Sequence, residues 1–125
     1  GASRLSTLKV NKIVGLTSSV VVVPATAMEV TTVTPAESPY DILPEDGFII
    51  VSSVASPIVL NLPDPANLAG SFYVVKDGSG NCSPTSSITV NPPGGSLIDK
   101  GASLVIDSSS AAVSIVTDGT EWYVF

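Results

Sequence analysis

The chain has 125 residues, of which 44% are hydrophobic and 13% are charged, and it contains one cysteine and no histidine. This length fits a single domain with a tail. The lone cysteine excludes an internal disulfide and a multi-cysteine metal site, and the lack of histidine excludes catalytic triads built on that residue. The longest apolar run, Val20 to Ala25, is far shorter than the roughly 20 residues that cross a bilayer.

The charges are unevenly distributed along the chain. Arg4, Lys9 and Lys12 face no acids in the first twelve residues, whereas the rest holds Lys76 and Lys100 against all eleven acids. The N-terminal segment therefore carries +3 and the remainder −9. An acidic body repels phosphates, which argues against nucleic-acid and anionic-membrane partners. The basic segment either docks on an acidic surface or is a solvated tail.

Residues 1–37 are predicted to form an extended N-terminal arm with short strands, separated by Gly15, Pro24 and Pro35. The run from Val20 to Val23 is apolar on both faces, which is typical of a strand buried on both sides. The body of the same chain or an adjacent subunit must cover it, and the basic, extended character of the arm favours a subunit. The predicted partner-binding residues of the arm are Arg4, Lys9, Lys12, Val20, Val21, Val22 and Val23.

Residues 38–125 are predicted to form the body. Abundant Val, Ser, Thr, Ile and Pro favour pleated sheet and turns. Short strands between regularly spaced breakers predict an all-β, antiparallel, jelly-roll-like sandwich. With a strand of the arm at Met28–Val33, the predicted strands are Phe48–Val54, Pro57–Leu62, Ser71–Lys76, Ser87–Asn91, Ser96–Asp99, Ser103–Asp107, Ala111–Thr117 and Glu121–Phe125.

The last two strands are predicted to form a hairpin around Asp118-Gly119, a dipeptide that accepts the positive φ values of a tight turn. Alternation places Val113 and Ile115 on one face of the first arm, and Trp122 and Val124 on one face of the second. The stretch from 64 to 70 has the features of a single helical turn that bridges two sheets. The similar stretches 58–63 and 88–93 are interpreted as strand ends, because two short matches do not establish a repeat.

The acidic residues are weighed as catalytic pairs. Glu45 with Asp46, or Asp99 with Asp107, could supply the two carboxyl groups of a glycosidase. Such chemistry needs a cleft that the sequence does not indicate, and Glu45-Asp46 lies in a turn. Solvated turn acids are the favoured interpretation, and no catalytic residue is predicted.

The stretch from Asp77 to Asn81 alternates oxygen-bearing side chains with glycines, as calcium loops do. Its twelfth position is Ile88, where an EF-hand needs a bidentate Glu, so a hairpin connection is favoured over a metal site. Cys82 has no basic neighbour in sequence and is interpreted as an inert thiol. No metal ligand, cofactor-binding residue or cofactor is predicted, and the chain is not expected to be an enzyme.

The aromatic residues lie inside or beside apolar strands. Core or subunit-interface packing is predicted for Tyr73, Trp122, Tyr123 and Phe125. Tyr73 and Tyr123 alternate with apolar neighbours, so a carbohydrate-binding face is the alternative use of these two.

Several short motifs of the body occur together in a recognisable order. They are Tyr40-Asp41-Ile42-Leu43-Pro44, Ile58-Val59-Leu60-Asn61-Leu62-Pro63, Ala69-Gly70 with Tyr73-Val74-Val75-Lys76-Asp77, Gly80-Asn81, Ile88-Thr89-Val90-Asn91-Pro92, Gly94-Gly95, Ile98-Asp99 and Asp118-Gly119-Thr120-Glu121-Trp122-Tyr123-Val124-Phe125. In this order the body resembles a module of bacteriophage virion proteins, namely fibres, spikes and head-decoration proteins. The resemblance implies a small β-structure that assembles as a homotrimer on a virion surface.

The chain shows no long shaft of repeats or coiled coil of the kind that fibres carry. The leading hypothesis is therefore a capsid decoration (cement) protein on the surface of the phage head, whose partners are itself and the major capsid protein or another virion protein. A receptor-binding head of a fibre or spike is the alternative, and a carbohydrate-binding or carbohydrate-active domain is the second alternative. Neither nucleic acid nor a membrane is expected as a partner.

Overall fold

The structure is a computed structural model that describes residues 28–125. The predictions for Arg4, Lys9, Lys12 and Val20–Val23 lie outside these residues. The described part is all-β, as predicted, with one 3-10 turn at Pro35–Glu37. Its strands are β1 (Val30–Val33), β2 (Tyr40–Asp41), β3 (Phe48–Val51), β4 (Ile58–Asn61), β5 (Phe72–Asp77), β6 (Ile88–Asn91), β7 (Leu104–Ile106), β8 (Ala112–Thr117) and β9 (Trp122–Val124).

The strands form two sheets, a five-stranded one in the order β1-β3-β5-β8-β9 and a four-stranded one in the order β2-β4-β6-β7. From β1 to β6 the chain passes from one sheet to the other at every step. Strands β1, β3 and β5 are therefore parallel neighbours, and so are β2, β4 and β6. This is the winding of a short β-solenoid. The hairpin β8–β9 and the antiparallel strand β7 close its C-terminal end.

The sheets are mixed, which differs from the predicted antiparallel, jelly-roll-like sandwich. Of the seven strand pairings among residues 28–125, only β5–β8, β6–β7 and β8–β9 are antiparallel. Antiparallel partners are usually joined by a short turn, whereas each early strand here continues into the opposite sheet and pairs with the strand after next. The breakers before β6 mark crossings between sheets and not hairpins, whereas those between β6 and β7 and between β8 and β9 separate antiparallel neighbours.

One hydrophobic core lies between the two sheets. Alternate residues of each strand point into it, as the period of two requires. Trp122 and Tyr73 are its largest buried side chains, with ring centroids 5.9 Å apart. The other fully buried apolar residues, all 0% exposed, are Val33, Ile49, Val51, Ile58, Leu60, Val75, Ile88, Val90 and Ile115.

The C-terminal hairpin forms as predicted. Ile115 pairs with Val124, and Thr117 pairs with Trp122. The connecting loop is four residues long, from Asp118 to Glu121, and Gly119 adopts a φ of 99° in it. The Asp118 carboxylate accepts the backbone N–H groups of Thr120 and Glu121, each at 2.8 Å.

Three local predictions need correction. The stretch from 64 to 70 forms two consecutive turns, not a helical turn, although it does join the two sheets. The Asp77–Asn81 loop is not a hairpin connection, because β5 and β6 belong to different sheets. No strand forms over Ser96–Asp99, where Ile98 makes only single bridges to Gly101 and Trp122.

The strand predicted at Met28–Val33 is present as β1, the edge strand that pairs with β3. It lies within the predicted arm, residues 1–37. Among residues 28–125 there is no helix long and apolar enough to span a membrane.

Candidate functional site

The outer face of the five-stranded sheet is apolar. Strand register places Val30, Phe48, Val74 and Ser114 in one row, Thr32, Ile50, Lys76 and Ala112 in a second, and Phe72, Val116 and Tyr123 in a third. These eleven residues are called the apolar face. Val30, Phe72 and Tyr123 are 61%, 44% and 38% exposed. A contiguous apolar surface of this kind is typical of an interaction site.

The outer face of the four-stranded sheet is more polar, although its second outward row consists of Val59, Thr89 and Val105. Its outward positions on β2, β4 and β6 include a row of Asp41, Asn61 and Asn91, which stand side by side in register. The Asn61 side-chain amide donates to the Asp41 carboxylate at 3.0 Å. Val105 on the edge strand β7 is the large exposed hydrophobic residue of this face, at 50%.

A buried carboxylate ties the first strands of the two sheets together. Asp46 is 6% exposed and accepts the hydroxyl of Thr31 on β1 at 3.0 Å and that of Tyr40 on β2 at 2.7 Å. The backbone N–H of Leu43 donates to the same carboxylate at 2.9 Å. Burial, followed by the hydrogen bond to Asp46, raises the pKa of Tyr40 to about 12. The interpretation of Asp46 as a solvated turn acid is therefore wrong, since its oxygens bind protein donors.

Glu45, its sequence neighbour, is exposed. In the other acidic pair both residues are exposed, and Asp99 accepts the backbone N–H of Val124 at 3.2 Å. Of the four acids weighed as catalytic pairs, Asp46 and Asp99 thus accept hydrogen bonds from a turn and a strand end.

The Asp77 carboxylate organises the loop that leaves β5. One oxygen accepts the backbone N–H and the hydroxyl of Ser79 at 3.0 and 2.6 Å, and the other accepts the backbone N–H groups of Cys82 and Ser110 at 3.0 and 2.9 Å. Burial alone would raise the pKa of Asp77, but these hydrogen bonds outweigh it and lower the pKa to about 2. Both oxygens bind protein donors, which is the arrangement of a loop clamp.

No group of three or more Cys, Asp and Glu side chains that could hold a metal ion occurs within the described range 28–125. Cys82 is buried, and its sulfur donates to the carbonyl of Ile106 at 2.9 Å. Burial raises the pKa of the Cys82 thiol, which favours the uncharged form.

The four aromatic residues predicted for the core or an interface fall into two pairs. Tyr73 and Trp122 are core residues, and the Tyr73 hydroxyl donates to the carbonyl of Pro44 at 3.1 Å. Tyr123 lies on the apolar face, and its hydroxyl donates to Asp118 at 3.1 Å, a hydrogen bond that raises the pKa of Tyr123. Phe125 follows β9 and is 81% exposed. Tyr73 and Tyr123 point to opposite sides of the sheet, so they do not form one carbohydrate-binding platform.

The sequence contained an indication of the apolar face that was missed. Phe48-Ile49-Ile50-Val51 and Phe72-Tyr73-Val74-Val75 are apolar at consecutive positions, the pattern of strands covered on both faces. Among the predictions from sequence, this interpretation is given only to Val20–Val23. In comparisons with known proteins, no family model matches this chain and no curated protein matches it.

Proposed function

We propose that this protein is a virion structural protein, a capsid decoration (cement) protein that binds the outer surface of a phage head as a homotrimer. In this proposal the basic N-terminal segment lies on the shell, on the major capsid protein or another virion protein. The acidic body faces solvent. The body itself performs no catalysis and requires no cofactor.

The observation that carries this proposal is the uneven distribution of charge along the chain, with basic residues before the described part and acidic residues within it. All eleven acids of the chain belong to the described part, against Lys76 and Lys100. The chain enters this part at β1, an edge strand, where Phe48 donates its backbone N–H to the carbonyl of Glu29. In the sequence, the three cations of residues 1–12 precede this −9 body. Such a distribution of charge suits a protein whose basic segment binds an acidic surface.

The proposal also relies on the resemblance of the body to phage virion modules. A receptor-binding head would use the same kind of body, so the position on the particle distinguishes the two functions. Antibody labelling of intact particles is expected to detect hundreds of copies over the head. A few copies confined to the tail would favour the receptor-binding alternative.

The role of the arm can be tested with undecorated shells. Deletion of residues 1–25 is expected to abolish binding and leave the body folded, as reported by circular dichroism and Trp122 fluorescence. The combined change Arg4→Ala, Lys9→Ala and Lys12→Ala is expected to slow association at low salt, since exposed charges chiefly set encounter rate. Lys100→Ala removes an exposed cation of the body and is the control. This variant is expected to bind shells as the unaltered chain does. A truncated body that still decorates shells would mean that the arm is not the anchor.

A further inference from the structure

We propose that the apolar face of the five-stranded sheet is the surface through which copies of this chain bind one another. The inference rests on the homotrimer of the proposed function and assigns its interface. The face is occupied by the other copies of this chain in that trimer.

The first support is the composition of the face. Phe48, Ile50, Val74 and Val116 are partly exposed on it, in addition to the more exposed Val30, Phe72 and Tyr123. Parallel strands usually belong to sheets that are covered on both faces. The core covers the inner face of β1, β3 and β5, while within residues 28–125 no strand or helix packs on the outer face.

The second support is the distribution of charge. The apolar face contains one charged residue, Lys76, whose ammonium group donates to the carbonyl of Ser110. No acid lies among its outward positions, although the body carries eleven. Two bodies of −9 repel each other most where their carboxylates meet. The outward positions of the apolar face carry no carboxylate, and Asp118 lies only at its border, beside the Tyr123 hydroxyl, whereas the other sheet presents Asp41 in an outward row.

The size of the face sets the expected affinity. Five strands about 4.8 Å apart, with outward rows about 6.7 Å apart, give a surface on the order of 400 Å². A standard stable interface buries about 800 Å² on each partner. The face is about half of that size, so it supports only weak, reversible association. We expect a dissociation constant in the micromolar range that responds strongly to single substitutions.

Salt dependence separates this interface from attachment to the shell. Association through the apolar face is opposed by repulsion between like charges, so screening from about 0.05 to 0.5 M salt is expected to strengthen it. Attachment through Arg4, Lys9 and Lys12 is attraction between opposite charges and is expected to weaken over the same range. The two contacts thus respond to salt with opposite sign.

The test uses three variants of the full chain that each add one negative charge. Phe72→Glu and Val30→Glu alter the apolar face, and Val105→Glu alters the polar face. Val30 and Val105 are closely matched, because both are valines on edge strands and are 61% and 50% exposed. Circular dichroism and the emission of buried Trp122 establish that each variant is folded.

Sedimentation equilibrium from 1 to 100 µM measures the association. We expect the dissociation constant to rise at least 100-fold in Phe72→Glu and at least 10-fold in Val30→Glu, and to change less than 3-fold in Val105→Glu. If both face variants keep the mass of the unaltered oligomer, the inference is overturned, and residues 1–27 become the alternative cover of the apolar face. An unaltered chain that is monomeric at 100 µM would also overturn it.

Shell binding, measured on the same proteins, distinguishes the two proposals. If the unaltered chain decorates shells while both face variants remain oligomeric, the interface assignment fails and the proposed function stands. If Phe72→Glu dissociates the oligomer while the unaltered chain does not bind shells, the interface is supported and the decoration function fails.

Discussion

The two sheets of this protein have inner faces of similar composition and outer faces of different composition. Inside, Ile49 and Val75 of one sheet belong to the same core cluster as Ile88 and Val90 of the other, and all four are 0% exposed. Outside, the five-stranded sheet presents aromatic and branched apolar residues, whereas the four-stranded sheet presents a row of Asp41, Asn61 and Asn91.

This difference shows which requirement acts on each surface. The inner faces must fill a shared core, so both are restricted to apolar residues. The outer faces are not needed for that core, and their residues reflect what each sheet contacts. A sheet that meets only water needs polar residues at alternate positions, while a sheet covered by a partner does not.

The largest expected effect is on the free energy of unfolding, and it tests whether the inner faces of the two sheets contribute equally to stability. Ile49→Ala in the five-stranded sheet and Ile88→Ala in the four-stranded sheet each remove three buried carbons from the core. Each is expected to lower the free energy of unfolding by about 2–5 kcal/mol. Urea unfolding followed by Trp122 fluorescence and by circular dichroism measures this. Transitions that fail to coincide between the two probes would mean that the sheets unfold separately.

The antiparallel end of the fold could be predicted from local sequence. Asp118-Gly119 lies between two alternating strands, and strand, turn and partner fall within fifteen residues. Turn chemistry therefore identified both the hairpin and its inward residues, Ile115 and Trp122. The bounds of most other strands were also predicted to within a few residues, because Pro, Gly and Asp separate them.

The parallel winding could not be predicted in the same way. Pairing there joins residues far apart, such as Val30 with Phe48 and Phe48 with Val74, at the unequal spacings of 18 and 26 residues. Unequal spacing hides the repeat that usually reveals a solenoid. One indication was present, because the similar stretches 58–63 and 88–93 contain β4 and β6, which pair in register with Ile58 beside Ile88.

The polar clamps of the candidate site depend on the same long-range winding. Asp46 was identified correctly as a turn residue, but its burial follows from the positions of Thr31 and Tyr40 in two different sheets. The bond from Ser110 to Asp77 spans 33 residues. No local pattern indicates such partners.

A second, smaller effect concerns the crossing between the sheets after β5. Asp77→Asn replaces one accepting oxygen with an NH₂ group that faces backbone donors, so we expect a loss of about 2 kcal/mol of stability at neutral pH. Asp107→Asn, which changes an exposed carboxylate, is the control and is expected to leave stability within about 0.5 kcal/mol.

The pH dependence of Asp77 has a defined sign. Its pKa falls from 3.8 to about 2 on folding, so its contribution to stability is complete above pH 4 and is lost as the pH falls toward 2. Acid titration of the free energy of unfolding is expected to show a shallower loss over this interval in Asp77→Asn than in the unaltered chain. Parallel curves for the two proteins would contradict the role assigned to this carboxylate.

The smallest expected effect concerns the bond that joins the first strands of the two sheets. Tyr40→Phe removes the donor to Asp46 but leaves Thr31 and Leu43 to satisfy the carboxylate, so the expected loss is about 1 kcal/mol. Tyr123→Phe removes a hydroxyl that bonds to exposed Asp118 and is expected to cost less.

Because folding raises the pKa of Tyr40 from 10 to about 12, the contribution of the Tyr40 hydroxyl to stability is complete below pH 10 and disappears as the pH rises toward 12. The stability difference between Tyr40→Phe and the unaltered chain, measured by urea unfolding, should therefore shrink over that interval. A difference that stays constant to pH 12 would mean that the Tyr40 hydroxyl does not hold the two sheets together through Asp46.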